Sequence, residues 1–235
     1  MSQLDGAAAD AIPRQLNAVR ERIAAACTRA GRAPDAARLI AVSKGHAEAA
    51  LAGAYGAGQR SFGESYVQEL LRKAAGLAAL PEIELRFIGR LQRNKVKDLL
   101  RVPQLRAVDC VDSLALAQAL AERARAAGRT LEILLQVNVD REPQKAGVLP
   151  DALPALVAAV RALPALELRG LMVIPRAGDD PEQARPAFAA LRAHARQHGL
   201  TELSMGMSDD LEVAVEEGAT MVRVGTAVFG PRPTK

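Results

Sequence analysis

Of the residues able to do chemistry, Lys44 comes first, because it directly follows the apolar run Leu39-Ile40-Ala41-Val42 and then Ser43. A lysine amine at the end of a buried strand has two possible fates. In a partly desolvated, cation-rich mouth its pKa falls and the free amine can attack an aldehyde to form an imine. At a rim it is simply a solvated charge, and position alone leaves both readings open. A second group lies far along the chain. Gly206 and Ser208 occur in Ser204-Met205-Gly206-Met207-Ser208, and Gly225 and Thr226 follow Arg223-Val224. Such turns offer backbone N–H groups and hydroxyls without bulky side chains, and a helix starting near Ser208 would add its dipole, which together make a cup for a phosphate. Arg223 adds a fixed positive charge, available to a phosphate oxygen or to a structural ion pair.

The elements that must position these residues follow from periodicity. A chain of 235 residues with 49% hydrophobic side chains can bury one sizeable core. Leu16, Val19, Ile23 and Cys27 recur at helical spacing and predict an opening helix, with residues 1–12 expected as a tail. Eight strands are then expected, around 39–43, 60–62, 83–88, 107–111, 131–139, 166–173, 203–205 and 221–224. Helical patterns fill the gaps at 46–55, 64–77, 94–100, 113–126, 152–162, 181–198 and 209–216. Asp180 before Pro181, and Ser208 before Asp209 and Asp210, are expected to cap helix starts, and Gly128 and Gly199 to end helices. Strand and helix alternate with short connections. The expected fold is therefore α/β: a single (β/α)₈ TIM-type barrel over residues 1–235 with an extra N-terminal helix, a doubly wound open sheet being the competitor. In such barrels the chemistry sits at the C-terminal strand ends, with phosphate sites after strands seven and eight. Lys44 would end strand one, and the cup would lie at strands seven and eight.

Several function classes are disfavoured. The 31 basic and 27 acidic residues, net charge +4, are interspersed rather than gathered in a tail. With 3% aromatics and no tryptophan, the chain lacks the stacking platforms of a single-strand nucleic-acid binder. Cys27 and Cys110 have neither CxxC nor ligand spacing and are expected to be reduced and buried. His194 and His198 lack a further ligand type nearby and are expected at the surface, so no metal site is anticipated. Tyr55 and Tyr66 fall in early helical segments and are expected to pack locally, whereas His46 is close enough to Lys44 to tune access. There is no basic-then-apolar leader and no stretch of about 20 apolar residues, which points to a cytoplasmic chain that does not enter a membrane.

The segments AVSK (41–44), FGESYVQE (62–69), FIGRLQRNKVK (87–97), LMVIP (171–175), LSMGMSDD (203–210) and MVRVGTAVFG (221–230) carry a family likeness. In this order, across nearly the whole chain after the first helix, they resemble the YggS/PROSC family of pyridoxal phosphate homeostasis proteins. The resemblance implies a barrel like the N-terminal domain of alanine racemase, with pyridoxal 5'-phosphate held as a Schiff base on Lys44. It implies phosphate contacts from Ser208, Gly225 and Thr226, with Met205, Gly206, Met207 and Arg223 nearby. Arg223 would meet either the phosphate or the pyridine nitrogen, and beside the nitrogen it would weaken the ring as an electron sink. The implied role is intracellular vitamin B6 homeostasis by storing the cofactor or delivering it to apo-enzymes. No catalytic residue is established, the expected state is a monomer, and no nucleic-acid partner is expected.

The chain departs from the family pattern at Ser65 in place of the usual Asn, at Leu85-Arg86 in place of Trp-His, and at Gly45-His46-Ala47 in place of Thr-Lys-Pro. Serine loses the amide's paired donor and acceptor, so a contact through position 65 is in question. Three other functions compete. A racemase-like enzyme would need a second base, usually a tyrosine from a β-domain, and this sequence stops at Lys235, right after the eighth unit. A cofactor-free class I aldolase-type lyase would use Lys44 on a phosphorylated sugar. A nucleic-acid binder would use Arg90, Arg93, Lys95, Lys97 and Arg101.

Overall fold

The computed structural model describes residues 3–231, and their side chains from residue 11 onward. Eight parallel strands pair in chain order and close into a barrel: β1 (Arg38–Val42), β2 (Ser61–Glu64), β3 (Glu84–Phe87), β4 (Leu105–Val111), β5 (Leu131–Gln136), β6 (Leu166–Met172), β7 (Glu202–Ser204) and β8 (Met221–Val224). The seam is in register, with Arg38 opposite Met221 and Ala41 opposite Val224. The expected (β/α)₈ barrel is thus the one observed. Helix α1 (Gln3–Arg29) precedes the first strand. The remaining helices follow the strands: α2 (Glu48–Gly56), α3 (Val67–Gly76), α4 (Val96–Leu99), α5 (Leu114–Ala126), α6 (Leu153–Arg161), α7 (Arg185–Gln197), α8 (Leu211–Glu216) and α9 (Thr226–Phe229).

Burial explains the arrangement. All of β5 is buried, as a strand must be when helices cover its outer face and side chains fill the barrel behind it. On α1, Leu16, Val19, Ile23 and Cys27 form one buried stripe against α2, α8 and α9. Burying each of the larger members stabilises the fold by about 1.5–3 kcal/mol. Successive strand residues face opposite ways. The register pairs Ile40 with Arg223, Val42 with Gly63, and Gly63 with Arg86. Partners in register share a face, so all of these point into the barrel, and Ser43 and Glu64 point out toward the helices.

The structure adjusts several local expectations. Helix α1 begins at Gln3 with Pro13 inside it, so residues 3–12, expected as a tail, are helical. Asp180 caps a 3-10 turn (Pro181–Ala184) by accepting from the Glu182 N–H at 2.9 Å, and α7 starts only afterwards. Ser208 caps no helix. Gly206, at φ +89°, turns the chain into a loop, and α8 starts at Leu211 with Asp210 at its N-cap. Helix α9 was not foreseen, since four residues are too few to show a helical period. His46 and Tyr66 lie just before α2 and α3 rather than inside them. Gly128 and Gly199 do end helices, at φ +63° and +61°. Both cysteines are free and buried. His194 and His198 are half-buried rather than surface residues, and desolvation lowers the His198 pKa. Among the described residues no helix is long and apolar enough to cross a membrane.

Candidate functional site

Alternation continues past the end of β1 and carries Lys44 to the inward side, where a cavity of about 530 Å³ opens at the C-terminal end of the barrel. Val42, Ile88 and Ile174 give it apolar walls at the ends of β1, β3 and β6, and Lys44, His46 and Ser65 line one side. The same cavity is lined by Met207 and Ser208 after β7, Arg223 on β8, and Gly225 and Thr226 where β8, the neighbour of β1, runs into α9. Six of the anticipated residues therefore share one cavity: Lys44, Met207, Ser208, Arg223, Gly225 and Thr226. Met205 and Gly206 lie behind its wall. Met205 is fully buried in the core, and a side chain at Gly206 would come within 2.5 Å of the Ala214 Cβ. Their contribution is to shape the loop.

Several polar groups in and around the cavity are held by specific partners. Arg223 is almost wholly buried, and it donates from Nη1 to Ser204 Oγ at 2.9 Å and from Nη2 to the Val173 carbonyl at 2.8 Å. The ion pair weighed for it within the barrel is replaced by these neutral acceptors. Burial pushes its pKa down to about 10 against the pull of Asp109 and Asp210, so it remains a cation at neutral pH. Asp210 Oδ1 accepts the Met207 N–H at 2.5 Å, pinning the loop after β7 from beneath; burial pushes this carboxyl upward. Gly225 lies where a side chain would stand 3.1 Å from the Val42 carbonyl oxygen, so a small residue keeps the ends of β8 and β1 close. The first N–H groups of α9, at Thr226 and Ala227, have no acceptor within the helix. His46 is buried with its ring 5.2 Å from that of Phe229, joining the loop after β1 to α9.

One cavity residue escaped the sequence reading. Arg22, on α1, donates from Nη2 to the Ser208 carbonyl at 3.0 Å and grips Glu212 through Nε and Nη2 at 2.6 and 2.9 Å. No local signal marks it, because its partners lie nearly the whole chain away. The tyrosines are not among the residues lining the cavity. Tyr55 donates to the Pro81 carbonyl and stacks beneath Arg60, and Tyr66 is 60% exposed. The basic stretch also lies off the cavity, with Arg90, Arg93, Lys97 and Arg101 exposed and Lys95 half-buried around α4. Among the described residues no group of His, Cys, Asp and Glu is placed to hold a metal ion.

Residues 15–233 match the family model of the alanine racemase N-terminal domain. The chain is 47% identical over 223 residues to the pyridoxal phosphate homeostasis protein of Pseudomonas aeruginosa, spanning 94% of this chain and 96% of that one. It is similar to PipY of Synechococcus elongatus, solved with PLP bound, at 39% identity and a TM-score of 0.82, over 93% of this chain and 100% of that one. Alanine racemase from Corynebacterium glutamicum shares the fold, with a TM-score of 0.64 at 22% identity, over 93% of this chain and 62% of that one.

Proposed function

The chain belongs to the pyridoxal phosphate homeostasis protein family, built on the alanine racemase N-terminal domain, and from that membership we infer that it binds pyridoxal 5'-phosphate and serves in homeostasis of that cofactor. One observation carries the reading: Lys44, Ser208, Gly225 and Thr226 line a single cavity. Its volume falls in the range of small-molecule sites. The donor set also fits the group, with an amine for an aldehyde, and hydroxyls and amides for a phosphate, in one cavity. Bound there, the cofactor supplies a reactive aldehyde and an aromatic ring that accepts electron density.

This chain's residues do the rest. Lys44 supplies the nitrogen for the covalent link. Ser208, Gly225 and Thr226 seat the phosphate, with Met207 at the edge of the cup. Arg22 brings positive charge to the same cavity and holds the Ser208 carbonyl by a hydrogen bond. Arg223 stays charged and would meet either the phosphate or the pyridine nitrogen of the bound group, and Ile88 and Ile174 would give that group apolar neighbours. Storage of the cofactor and hand-over to cytoplasmic apo-enzymes, by a monomer, is the role this assigns.

The test is an absorbance titration of the purified chain with pyridoxal phosphate, repeated on Lys44→Ala, with borohydride reduction and peptide mapping. The expected result is a band near the visible edge that reduction fixes onto Lys44 and that the variant lacks. No band, or label scattered over surface lysines, would overturn the reading and favour an aldolase-type use of Lys44.

A further inference from the structure

Behind Lys44, on the outward face of the barrel wall, lies a cluster of three titratable side chains, Lys73, Glu64 and Glu69, none of which is among the residues lining that cavity. Lys73, on α3, is 1% exposed. Its Nζ donates to Glu64 Oε1 at 2.6 Å and to the Ser43 carbonyl oxygen at 2.7 Å, and lies 2.7 Å from Glu69 Oε1. Ser43 Oγ donates to the same Glu64 oxygen at 2.6 Å, and Glu69 Oε1 accepts the Gly45 N–H at 2.6 Å.

Burying an ammonium against a carboxylate, with the second carboxylate of Glu69 half-buried beside them, is costly, and apolar residues of similar volume often stabilise a fold as well or better. Nor does the strand end need the cluster to turn. The Ser43 N–H already donates to the Gly63 carbonyl at 3.1 Å, the Ser43 carbonyl accepts the His46 N–H at 3.1 Å, and Gly45 takes φ +80°. What the cluster adds is a grip on both peptide groups that flank the Lys44 Cα. The carbonyl before it is held by Lys73, and the N–H after it by Glu69. Because each peptide group is planar, fixing both fixes the direction in which the Lys44 side chain leaves the backbone.

We propose that Lys73, held between Glu64 and Glu69, is a positioning residue for Lys44, locking the Ser43–Gly45 turn so that the Lys44 amine meets the aldehyde carbon of a ligand whose phosphate sits in the same cavity. The proposal rests on the reading of Lys44 as the link residue. It separates two steps that share one site: seating the phosphate, which does not use the turn, and forming the covalent link, in which the Lys44 nitrogen replaces the aldehyde oxygen and that oxygen leaves as water, which does.

The two are told apart with two ligands. Pyridoxal phosphate can bond to Lys44, whereas pyridoxamine phosphate fills the same cup without an aldehyde. The variant Lys73→Met is compared with Leu70→Ala, a cavity-forming change at a fully buried position of the same helix, with the melting temperature of the ligand-free protein recorded for each. Lys73→Met is expected to weaken pyridoxal phosphate binding by about tenfold or more, to shift the pH midpoint of the absorption band, and to leave pyridoxamine phosphate binding unchanged. Leu70→Ala is expected to lower the melting temperature without moving either affinity. Equal losses for both ligands, or for neither, would overturn the positioning role. If Lys73→Met does not fold, Glu69→Ala, which releases Gly45, is judged by the same comparison. A wild-type chain with no band on Lys44 would instead sink the link-residue reading, and this proposal with it, before any of these variants is compared.

Discussion

Inside the barrel Arg86 and Asp109 form a two-pronged ion pair, with Nε 3.0 Å from Oδ2 and Nη2 2.8 Å from Oδ1, and both side chains are almost completely removed from water. Glu132 and Glu202 stand farther off, 3.7 and 3.9 Å from the guanidinium. Desolvation acts to discharge the arginine, and the Asp109 carboxylate outweighs it, keeping Arg86 charged. Arg86 is one of the residues at which the chain departs from its family's usual pattern, and here it closes the barrel interior beneath the cavity by pairing with a neighbouring strand.

Breaking that pair from one side leaves a buried charge without its counter-ion. Asp109→Leu alone, or Arg86→Met alone, is expected to lower unfolding stability by about 3–5 kcal/mol. The double variant is expected to recover much of that loss, since it removes both buried charges together. Urea unfolding of all four proteins measures this as a double-mutant cycle. Additive losses would show that the two residues act independently.

Arg22 connects the N-terminal helix to the cup after β7. Its contact with the Ser208 carbonyl is partly exposed, so Arg22→Ala is expected to cost about 1 kcal/mol, or roughly fivefold in affinity, for ligands that carry a phosphate. Pyridoxal, which has none, is expected to bind the variant and the wild type alike. Isothermal titration with both ligands decides the point, and an equal drop for pyridoxal would mean that Arg22 supports the cavity as a whole.

Acidity should expose the same helix contact. Burial pushes the Glu212 carboxyl up, but the Arg22 hydrogen bond and charge outweigh it and hold the group below its ordinary value of 4.5. A carboxyl with a depressed folded pKa takes up protons more readily when unfolded. The stability it contributes is complete above its unfolded pKa and is lost as pH falls through the folded one. Glu64 and Asp210, raised by burial, run the other way, so the total slope mixes both signs. The informative quantity is the difference between wild type and Glu212→Gln. Urea midpoints taken from pH 7 to pH 3 are expected to differ by a constant amount down to about pH 5 and to converge below 4.5. A gap that widens on acidification would contradict the assignment.

The sequence by itself determined the eight strand segments and their alternation with helices, and made a closed barrel the expected fold over an open sheet; that the strands pair in chain order and close was decided in three dimensions. It also determined that Lys44, Ser208, Gly225 and Thr226 fall at strand ends on one side of that barrel. These features are local: apolar runs of strand length, helical spacing, and glycines where the chain turns. Tertiary structure decided which neighbours those ends acquire. It brought Arg22 from the first helix onto Ser208 and Glu212, seated Lys73 against the Ser43 carbonyl, paired Arg86 with Asp109, and put Met205 and Gly206 behind the cavity wall instead of in it. The physical reason is that periodicity fixes which face of an element is buried, but not which side chain of a distant element stands opposite. Partners such as Arg22 and Glu212, 190 residues apart, meet only when the barrel closes and its register sets the facing positions.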